Sequence, residues 1–384
     1  MNPILPAFVR AVLPVALLAA VAGAMACGSS SNSGGSGGFG SSGAGSGGSG
    51  STSGGSSSSS SVSSGSGGSS GSSGVQSSGS GGTSSSGSSS SGGHSSGSGG
   101  TSGSGSSSSG GSAAHGGKTP PYLPTATATC PTLATGMQSF TLNGTSMSWY
   151  LNVGSKAASP TGPIVIYWHA TGTMYTEEQE ALGDSISTIT GLGGVVASAV
   201  STTSTGTDTG DGVWFTGDIN WADFIIACAI QQLNIDTTQI HAAGYSAGAL
   251  QTGYMWYARS GYLASVIVYS GGVIFPPAMQ DPSNAPALIG AHGAFGEGGC
   301  TDLLSTTCDA LATSTTSFES AAKAAGAPIV IDCNDEQDHV YYERLTNLAP
   351  VAWQFFKDHP FGQGTPDPYA AGLPAGFPSY CSIY

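Results

Sequence analysis

The part of the sequence from residue 118 to residue 384 predicts an α/β fold, with a mostly parallel central sheet and helices on both faces. Two observations lead to this prediction. Short apolar segments of strand length alternate along the chain with longer segments of helical periodicity, which is typical of parallel strands joined by right-handed crossovers. One apolar segment, 163–168, has no polar interruption, as expected for a strand buried on both faces.

The predicted elements begin with an antiparallel hairpin at the edge of the sheet. Its strands lie around 137–142 and 146–153, and Asn143-Gly144 between them favours a tight turn. The later strand segments are 163–168, 194–200, the apolar run from Thr238 into Gly244, 264–269, 287–291 and 328–332. One helical segment starts at Thr176, and the others span 219–233, 247–259, 317–325 and 349–356.

The first 117 residues are expected to lie outside this domain. Residues 1–27 resemble a bacterial lipoprotein signal, because Arg10 precedes a short apolar stretch and Ala24-Met25-Ala26-Cys27 is similar to a lipobox, in which the cysteine is lipidated. Ala24 stands where that motif prefers leucine, so cleavage after Ala26 without lipidation is the alternative. Residues 28–117 are rich in Gly and Ser and contain no Asp, Glu, Lys or Arg, which predicts a disordered linker.

The charge balance excludes some partners. All 21 Asp and Glu follow residue 176, and the chain has a formal net charge of −14 at pH 7. We therefore expect neither a nucleic-acid partner nor attraction to anionic lipid, since both require positive charge. The expectation is an exported protein, secreted or attached to the outer envelope only through a lipid on Cys27, with residues 118–384 as a monomeric domain.

Besides Cys27, six cysteines remain, an even number that suits disulfides in an exported chain. Sequence alone does not determine which cysteines are joined. Cys300 and Cys308 lie in one loop and are the most plausible local pair. A pair of Cys130 with Cys381 would join the ends of the domain, and it would leave Cys228 to pair with Cys333. No Cys-x-x-Cys or interleaved histidine spacing is present, so no zinc site is expected.

The sequence Gly-x-Ser-x-Gly occupies residues 244–248, between a predicted strand and a predicted helix. This is the arrangement of a nucleophile elbow, in which a serine is held in a strained strand-to-helix turn. Gly244 and Gly248 would let the strand and the helix pass close to each other. Ser246 is thus the candidate nucleophile, and the Ala247 N–H at the start of the helix is a candidate donor to an oxyanion.

A serine nucleophile needs a base, and the base needs an orienting acid. In hydrolases with such an elbow the chain order is Ser, acid, His. His339 follows the last predicted strand and precedes the final helical segment, so it is the candidate base. His292 is expected to be structural, and His359 is expected to lie at the surface.

The acid is expected in the loop after strand 287–291. We favour Asp302 in Gly298-Gly-Cys-Thr-Asp302. Asp309 is an alternative, although it directly precedes a helix-forming segment and could simply cap it. Glu297 is a further alternative.

The second oxyanion donor is expected in the loop His169-Ala170-Thr171-Gly172, after the first central strand. The choice between the amides of Ala170 and Thr171 stays open. His169 is expected to be a structural residue that makes hydrogen bonds.

With these residues placed, the region from Pro163 to Gly362 resembles the α/β-hydrolase esterases of the secreted polyhydroxybutyrate-depolymerase and feruloyl-esterase-like group. The resembling segments are the Trp168-His169 loop, Gly-Tyr-Ser-Ala-Gly, Tyr269-Ser-Gly-Gly, His292-Gly293, His339 and Ala352-Trp-Gln-Phe-Phe-Lys-Asp-His-Pro. The resemblance implies an α/β-hydrolase fold and ester hydrolysis through an acyl-enzyme, with no metal or organic cofactor. Ala170, which replaces a glycine, and the cysteine-bracketed insertion around the acid depart from the pattern.

The sequence therefore predicts a serine esterase that hydrolyses carboxylic esters, either acyl or feruloyl esters on polysaccharide or hydroxyalkanoate polyesters. One alternative is a surface-anchored binding domain that keeps the scaffold without catalysis, because a fold does not determine a function. A serine peptidase is the lesser alternative. Trp214, Phe215 and Trp221 either line an acyl or aromatic pocket or pack in the core.

Overall fold

The computed structural model describes residues 118–293, 305–339 and 341–384, without the side chains of 305–309. The strands are β1 Gly136–Leu142, β2 Thr145–Val153, β3 Gly162–Trp168, β4 Val195–Ala199, β5 Ile235–Tyr245, β6 Ser265–Tyr269, β7 Ala287–His292, β8 Val330–Asn334 and β9 Cys381–Ile383. The helices are α1 Glu177–Leu182, α2 Ser185–Gly191, α3 Ile219–Gln232, α4 Ala247–Ala258, α5 Ser305–Ala324 and α6 Glu343–Asp358. The predicted signal segment 1–27 and linker 28–117 lie outside the described residues.

The strands form one sheet in the order β1-β2-β4-β3-β5-β6-β7-β8-β9. From β4 to β8 all neighbours are parallel, whereas the β1–β2 hairpin and β9 add antiparallel strands at the two edges. This strand order, with a tight turn from β5 into α4, is the α/β-hydrolase fold. The prediction of a mostly parallel sheet with a hairpin at one edge is confirmed.

Helices cover both faces of the sheet, each over its own apolar core. One core joins α1, α2 and α6 to the sheet and includes the fully buried Phe355 and Phe356. The other joins α3, α4 and α5 to the opposite face and includes Trp256 and Phe318. Each such aromatic side chain stabilises the fold by roughly 1.5–3 kcal/mol relative to an exposed position. Within the described part of the chain, no helix has both the length and the apolar character that crossing a bilayer requires.

Two helices are longer than predicted, and one strand was not predicted. Helix α5 already begins at Ser305, in a Ser/Thr-rich segment whose side chains bond back to the helix, as Thr315 Oγ1 does to the Leu311 carbonyl at 3.0 Å. Helix α6 begins before its internal Pro350, because Leu345 and Leu348 are buried against the sheet. Strand β9 has only three residues, too few for a recognisable pattern.

The predicted disulfides Cys130–Cys381 and Cys228–Cys333 are wrong. The disulfides are Cys130–Cys228 and Cys333–Cys381. Cys381 on β9 lies directly opposite Cys333 on β8 in the strand register. The segment that carries Cys130 lies along α3, where Gln232 bonds to the Pro131 carbonyl at 2.8 Å, and so it reaches Cys228. The remaining pair, Cys300 with Cys308, involves side chains outside the described part.

Candidate active site

Ser246 lies in the turn between β5 and α4, in a strained backbone conformation with φ 54° and ψ −114°. A Cβ on Gly248 would stand 1.8 Å from the Trp168 carbonyl oxygen, and a Cβ on Gly244 would stand 2.3 Å from the Gly248 oxygen. Only glycine fits at these two positions. The Ser246 amide donates to the Tyr269 carbonyl at 2.9 Å, which further fixes the turn.

The predicted nucleophile and base lie together. His339 Nε2 is 2.9 Å from Ser246 Oγ, a hydrogen-bond distance. The ring of His339 stacks on the ring of Tyr245 with centroids 5.5 Å apart, and the Tyr245 hydroxyl donates to the His339 carbonyl. Both Ser246 and His339 are only 8% exposed. The hydrogen bond is thus largely shielded from water.

The loop before His339 is held by a buried ion pair. Arg344 Nε lies 2.6 Å from Asp335 Oδ2, and its Nη2 donates to the Asp338 carbonyl at 2.9 Å. Both side chains of the pair are almost fully buried. Asp335 therefore positions the loop through Arg344.

Ser270 is a residue of this site that the sequence reasoning missed. Its Oγ lies 2.7 Å from His339 Nδ1, on the ring edge opposite Ser246. Tyr245 on β5 pairs with Tyr269 on β6, so the residues that follow each strand meet at the same edge of the sheet. Ser246 and Ser270 share a left-handed backbone, with φ 54° and φ 53°. The sequence did contain a signal for Ser270: it directly follows the predicted strand 264–269, which comes next after the strand that leads into the elbow.

The position of the acid stays a prediction. Asp302 and Glu297 lie outside the described residues. Asp309 belongs to the first turns of α5, but its side chain is not among those described. The described partner of His339 Nδ1 is Ser270 Oγ.

The expectation that His359 lies at the surface is wrong. It is fully buried, its Nδ1 lies 2.7 Å from the Phe355 carbonyl, and its Nε2 lies 3.3 Å from Asp367 Oδ2. The chain after α6 folds back and packs Tyr369 edge-on against this imidazole. His359 therefore belongs to the core beneath α6.

The candidate oxyanion donors come from two neighbouring backbone segments. Ala247 is the first residue of α4, where N–H groups have no intrahelical partner. Gly248 is in close contact with the Trp168 and His169 carbonyls, so the loop after β3 lies beside the start of α4. In that loop the Ala170 N–H donates to Glu177 Oε1 at 3.2 Å, whereas the Thr171 amide has no hydrogen-bond partner among the described residues. This difference favours Thr171 over Ala170 as the second donor.

Glu177, the first residue of α1, holds this loop through hydrogen bonds to its side chain. Its Oε1 accepts from the Tyr167 hydroxyl at 2.8 Å and from the Ala170 amide at 3.2 Å. Burial raises the pKa of Glu177 to about 7, although the hydrogen bonds that it receives from Thr173, Tyr167 and Ala170 oppose the shift. The conformation of the loop thus depends on a carboxyl group that titrates near neutral pH.

The aromatic residues whose role was open divide between buried and partly exposed positions. Trp214 is fully buried, donates from Nε1 to the His169 carbonyl at 2.8 Å, and packs edge-on against Trp168. Trp221 is also buried and donates to the Phe140 carbonyl at 3.3 Å. These two pack in the core, and only Phe215 is partly exposed. The hydrogen bond of Trp214 to the His169 carbonyl also fixes the loop that begins at His169. The His169 ring in turn makes hydrogen bonds to the Ala170 and Val200 carbonyls.

No model of a known protein family matches this sequence, and no curated protein matches it. Among solved structures, native pOPH is 14% identical and aligns over 67% of this chain and 96% of its own, with a TM-score of 0.47. The fluorophosphonate-binding serine hydrolase FphF of Staphylococcus aureus is 10% identical over 57% of this chain and 96% of its own, with a TM-score of 0.41. An acetyl xylan esterase from Aspergillus awamori is 18% identical over 42% of this chain and 73% of its own, with a TM-score of 0.30. At these low scores the fold assignment rests on the strand order and the elbow, and the function rests on the site.

Proposed function

We propose that this protein is a serine hydrolase that cleaves carboxylic esters through an acyl-enzyme. The observation that carries the proposal is the 2.9 Å contact between Ser246 Oγ, on the elbow, and His339 Nε2. The same turn begins α4, so the Ala247 amide lies next to the nucleophile. A nucleophile, a base and an oxyanion donor in one place are the minimum set for acyl transfer.

The tautomer of His339 is inferred from the two hydrogen-bond partners that its ring has among the described residues. To act as base, Nε2 must carry the lone pair that accepts the Ser246 proton, so Nδ1 carries the hydrogen and donates to Ser270 Oγ. When Ser246 attacks the ester carbonyl, its proton passes to Nε2. The carbonyl oxygen becomes an oxyanion, which the Ala247 and Thr171 amides stabilise.

The imidazolium then gives its Nε2 proton to the leaving alcohol, and the acyl group stays on Ser246. A water molecule, activated by the same nitrogen, releases the acid and restores the serine. Ser270 supports the tautomer but adds no negative charge to stabilise the imidazolium. We therefore keep Asp302 as the proposed acid, with Asp309 and Glu297 as alternatives.

The ester is expected to be a polysaccharide-linked acyl or feruloyl ester or a hydroxyalkanoate polyester. Screening acetyl-xylan, feruloyl esters and short hydroxyalkanoate oligomers distinguishes these classes. Export, as a secreted protein or as a lipoprotein anchored through Cys27, is also part of the proposal. The two disulfides among the described residues are in keeping with an oxidising compartment.

The test of catalysis is the substitution Ser246→Ala. It should lower hydrolysis of a short p-nitrophenyl ester by at least about 1,000-fold and abolish labelling by a fluorophosphonate probe. Ser265→Ala is the matched control, because Ser265 Oγ lies 2.8 Å from His241 Nδ1 in a buried Ser–His pair that lacks an elbow. This control should keep both activity and labelling.

Unchanged turnover by a folded Ser246→Ala protein would contradict the proposal. If the wild-type chain takes no probe from mildly acidic to mildly basic pH, the alternative of a non-catalytic binding domain is favoured. Cleavage of peptides in preference to esters would instead favour the peptidase.

A further inference from the structure

A second cluster of ligating side chains lies between the sheet and α5. It consists of His292 at the end of β7, Glu319 on α5 and Asp332 on β8, and one ligand atom from each lies within 4.8 Å of the others. Asp332 is directly opposite Gly290 in the register of β7 and β8. Since side chains alternate along a strand, Gly290, His292 and Asp332 lie on the same face, which α5 covers. The cluster is thus built by three elements.

Glu319 is the unusual member of the cluster. It is fully buried, and neither carboxylate oxygen has a hydrogen-bond partner in the described part of the chain. A Cβ on Gly290 would stand 2.0 Å from Glu319 Oε1, so the missing side chain of Gly290 leaves the space that this carboxylate fills. Burial, and next to it the charge of Asp332, raise the pKa of Glu319 to about 9. A buried carboxylate without a partner is costly unless a cation or a proton neutralises it.

His292 is oriented as a metal ligand would be. Its Nδ1 lies 2.8 Å from the Gly293 carbonyl, and its Nε2 lies 3.0 Å from Asp332 Oδ1. A histidine that donates Nδ1–H to a carbonyl presents the lone pair of Nε2, and metal-binding histidines usually make such a second hydrogen bond. Nε2 faces the Asp332 carboxylate at hydrogen-bond distance, and a metal ion bound by both atoms would take the place of the proton between them.

We propose that His292, Glu319 and Asp332 bind a divalent transition-metal ion of the zinc type. A doubly charged ion balances the two carboxylates while the imidazole stays neutral. Zinc accepts histidine nitrogen and carboxylate oxygen as ligands and can take water in a fourth position, whereas calcium and magnesium prefer six or more oxygen ligands. Ligand atoms around tetrahedral zinc stand roughly 3.4 Å apart. His292 Nε2 and Asp332 Oδ1, now 3.0 Å apart, would therefore separate slightly, and the wider distances, which are at most 4.8 Å, would shorten by up to about 1.4 Å.

The ion would have a structural role. It would connect β7, α5 and β8, and His292 directly precedes the segment that contains the proposed acid Asp302. Asp332 is the one partly exposed ligand, with 28% of its side chain accessible, and offers the path by which an ion enters. The effect of the ion should therefore appear in stability, independently of catalysis.

The test is Zn²⁺ binding by the full chain, produced without a histidine tag and stripped with EDTA. Titration calorimetry should find one Zn²⁺ per chain, and Zn²⁺ should raise the Tm. Glu319→Gln should weaken binding on the order of 100-fold and abolish the rise in Tm. Asp367→Asn is the matched control, because Asp367 pairs with the buried His359 but no third ligand is found there among the described residues. It should bind Zn²⁺ as the wild type does.

Glu319→Gln is close in shape to a protonated glutamic acid, so it is expected to fold, and circular dichroism checks this. If Glu319 simply holds a proton, the wild type will show no Zn²⁺-dependent Tm, and the proposal is overturned. Equal Zn²⁺ binding by Glu319→Gln and wild type would also overturn it. Ca²⁺ should give no rise in Tm, and a rise equal to that with Zn²⁺ would refute the assignment to a zinc-type ion.

Discussion

At the scale of single residues, the elbow depends on the absence of two side chains. A Cβ at Gly248 would lie 1.8 Å from the Trp168 carbonyl oxygen, in backbone that cannot move aside. Gly248→Ala is therefore expected to lower the free energy of unfolding by about 3 kcal/mol or more, measured by urea denaturation. Gly191→Ala is the control, since nothing lies within 4 Å of a Cβ at that helical position. A Gly248→Ala protein as stable as this control would contradict the described turn.

Ser270 is expected to position His339 without touching the substrate. In Ser270→Ala, Nδ1 loses the hydroxyl that lies 2.7 Å away, so the ring is less well held and the reactive tautomer is less favoured. We expect kcat to fall about 10- to 100-fold with KM little changed. Ser270→Thr, which keeps the hydroxyl, should recover part of kcat. A stable Ser270→Ala enzyme with wild-type kcat would show that the contact does not matter.

At the scale of elements, the start of α1 and the loop after β3 act as one unit through Glu177. Glu177→Ala leaves the buried Tyr167 hydroxyl and the Ala170 amide without their acceptor, at a cost of about 1–3 kcal/mol for each group. The loop that holds the Thr171 amide should also shift. We therefore expect lower stability in urea and a kcat/KM reduced about 10-fold.

Glu177→Gln is the control for this prediction, because its amide oxygen can still accept from both donors. It should keep most of the stability and activity. If Glu177→Ala lowers stability but leaves kcat/KM unchanged, the carboxyl group supports the fold and has no effect on the oxyanion loop.

At the scale of the whole molecule, buried carboxyl groups determine how stability depends on pH. Burial raises the pKa of Glu178 to about 8, and that of Glu177 to about 7, from an ordinary value of 4.5. Between pH 4.5 and these values the folded state holds protons that the unfolded state has lost, so stability falls as pH rises. His241 acts in the opposite direction, but only below its ordinary value of 6.5, because burial lowers its pKa to about 3.

The free energy of unfolding of the metal-free protein should therefore decrease from pH 6.5 to about 8, by on the order of 3–4 kcal/mol, because Glu319, whose pKa burial raises to about 9, adds to the effect of Glu177 and Glu178. Urea denaturation with the disulfides intact measures this. Glu178→Gln, which cannot ionise, should reduce the slope over this interval, and a slope unaffected by the substitution would contradict the raised pKa.

Much of the fold could be predicted because its elements are encoded locally. Asn143-Gly144 marks the hairpin, and the apolar residues 163–168 mark a central strand. The limits of α5 and α6 could not be predicted, since their added turns are stabilised by tertiary contacts. The segment around Ser305 has little apolar character of its own, and Pro350 lies inside α6, whereas a proline is usually found in the first turn of a helix.

By itself, the sequence determined most of the succession of strands and helices along the chain and the position of Ser246 at a strand-to-helix turn. Both depend on neighbouring residues, whose periodicity and small side chains are visible along the chain. It also predicted His339 as the candidate base, because the chain order of such sites restricts where a base can stand, and His339 does lie in contact with Ser246.

The tertiary structure alone decided the disulfide pairs, the burial of His359, the contact of Ser270 with His339 and the cluster around Glu319. Each of these joins residues from different elements, often far apart along the chain. Their approach depends on which strands are neighbours in the sheet and on which face each helix packs. No spacing along a single chain carries that information, because many strand orders are compatible with the same local patterns.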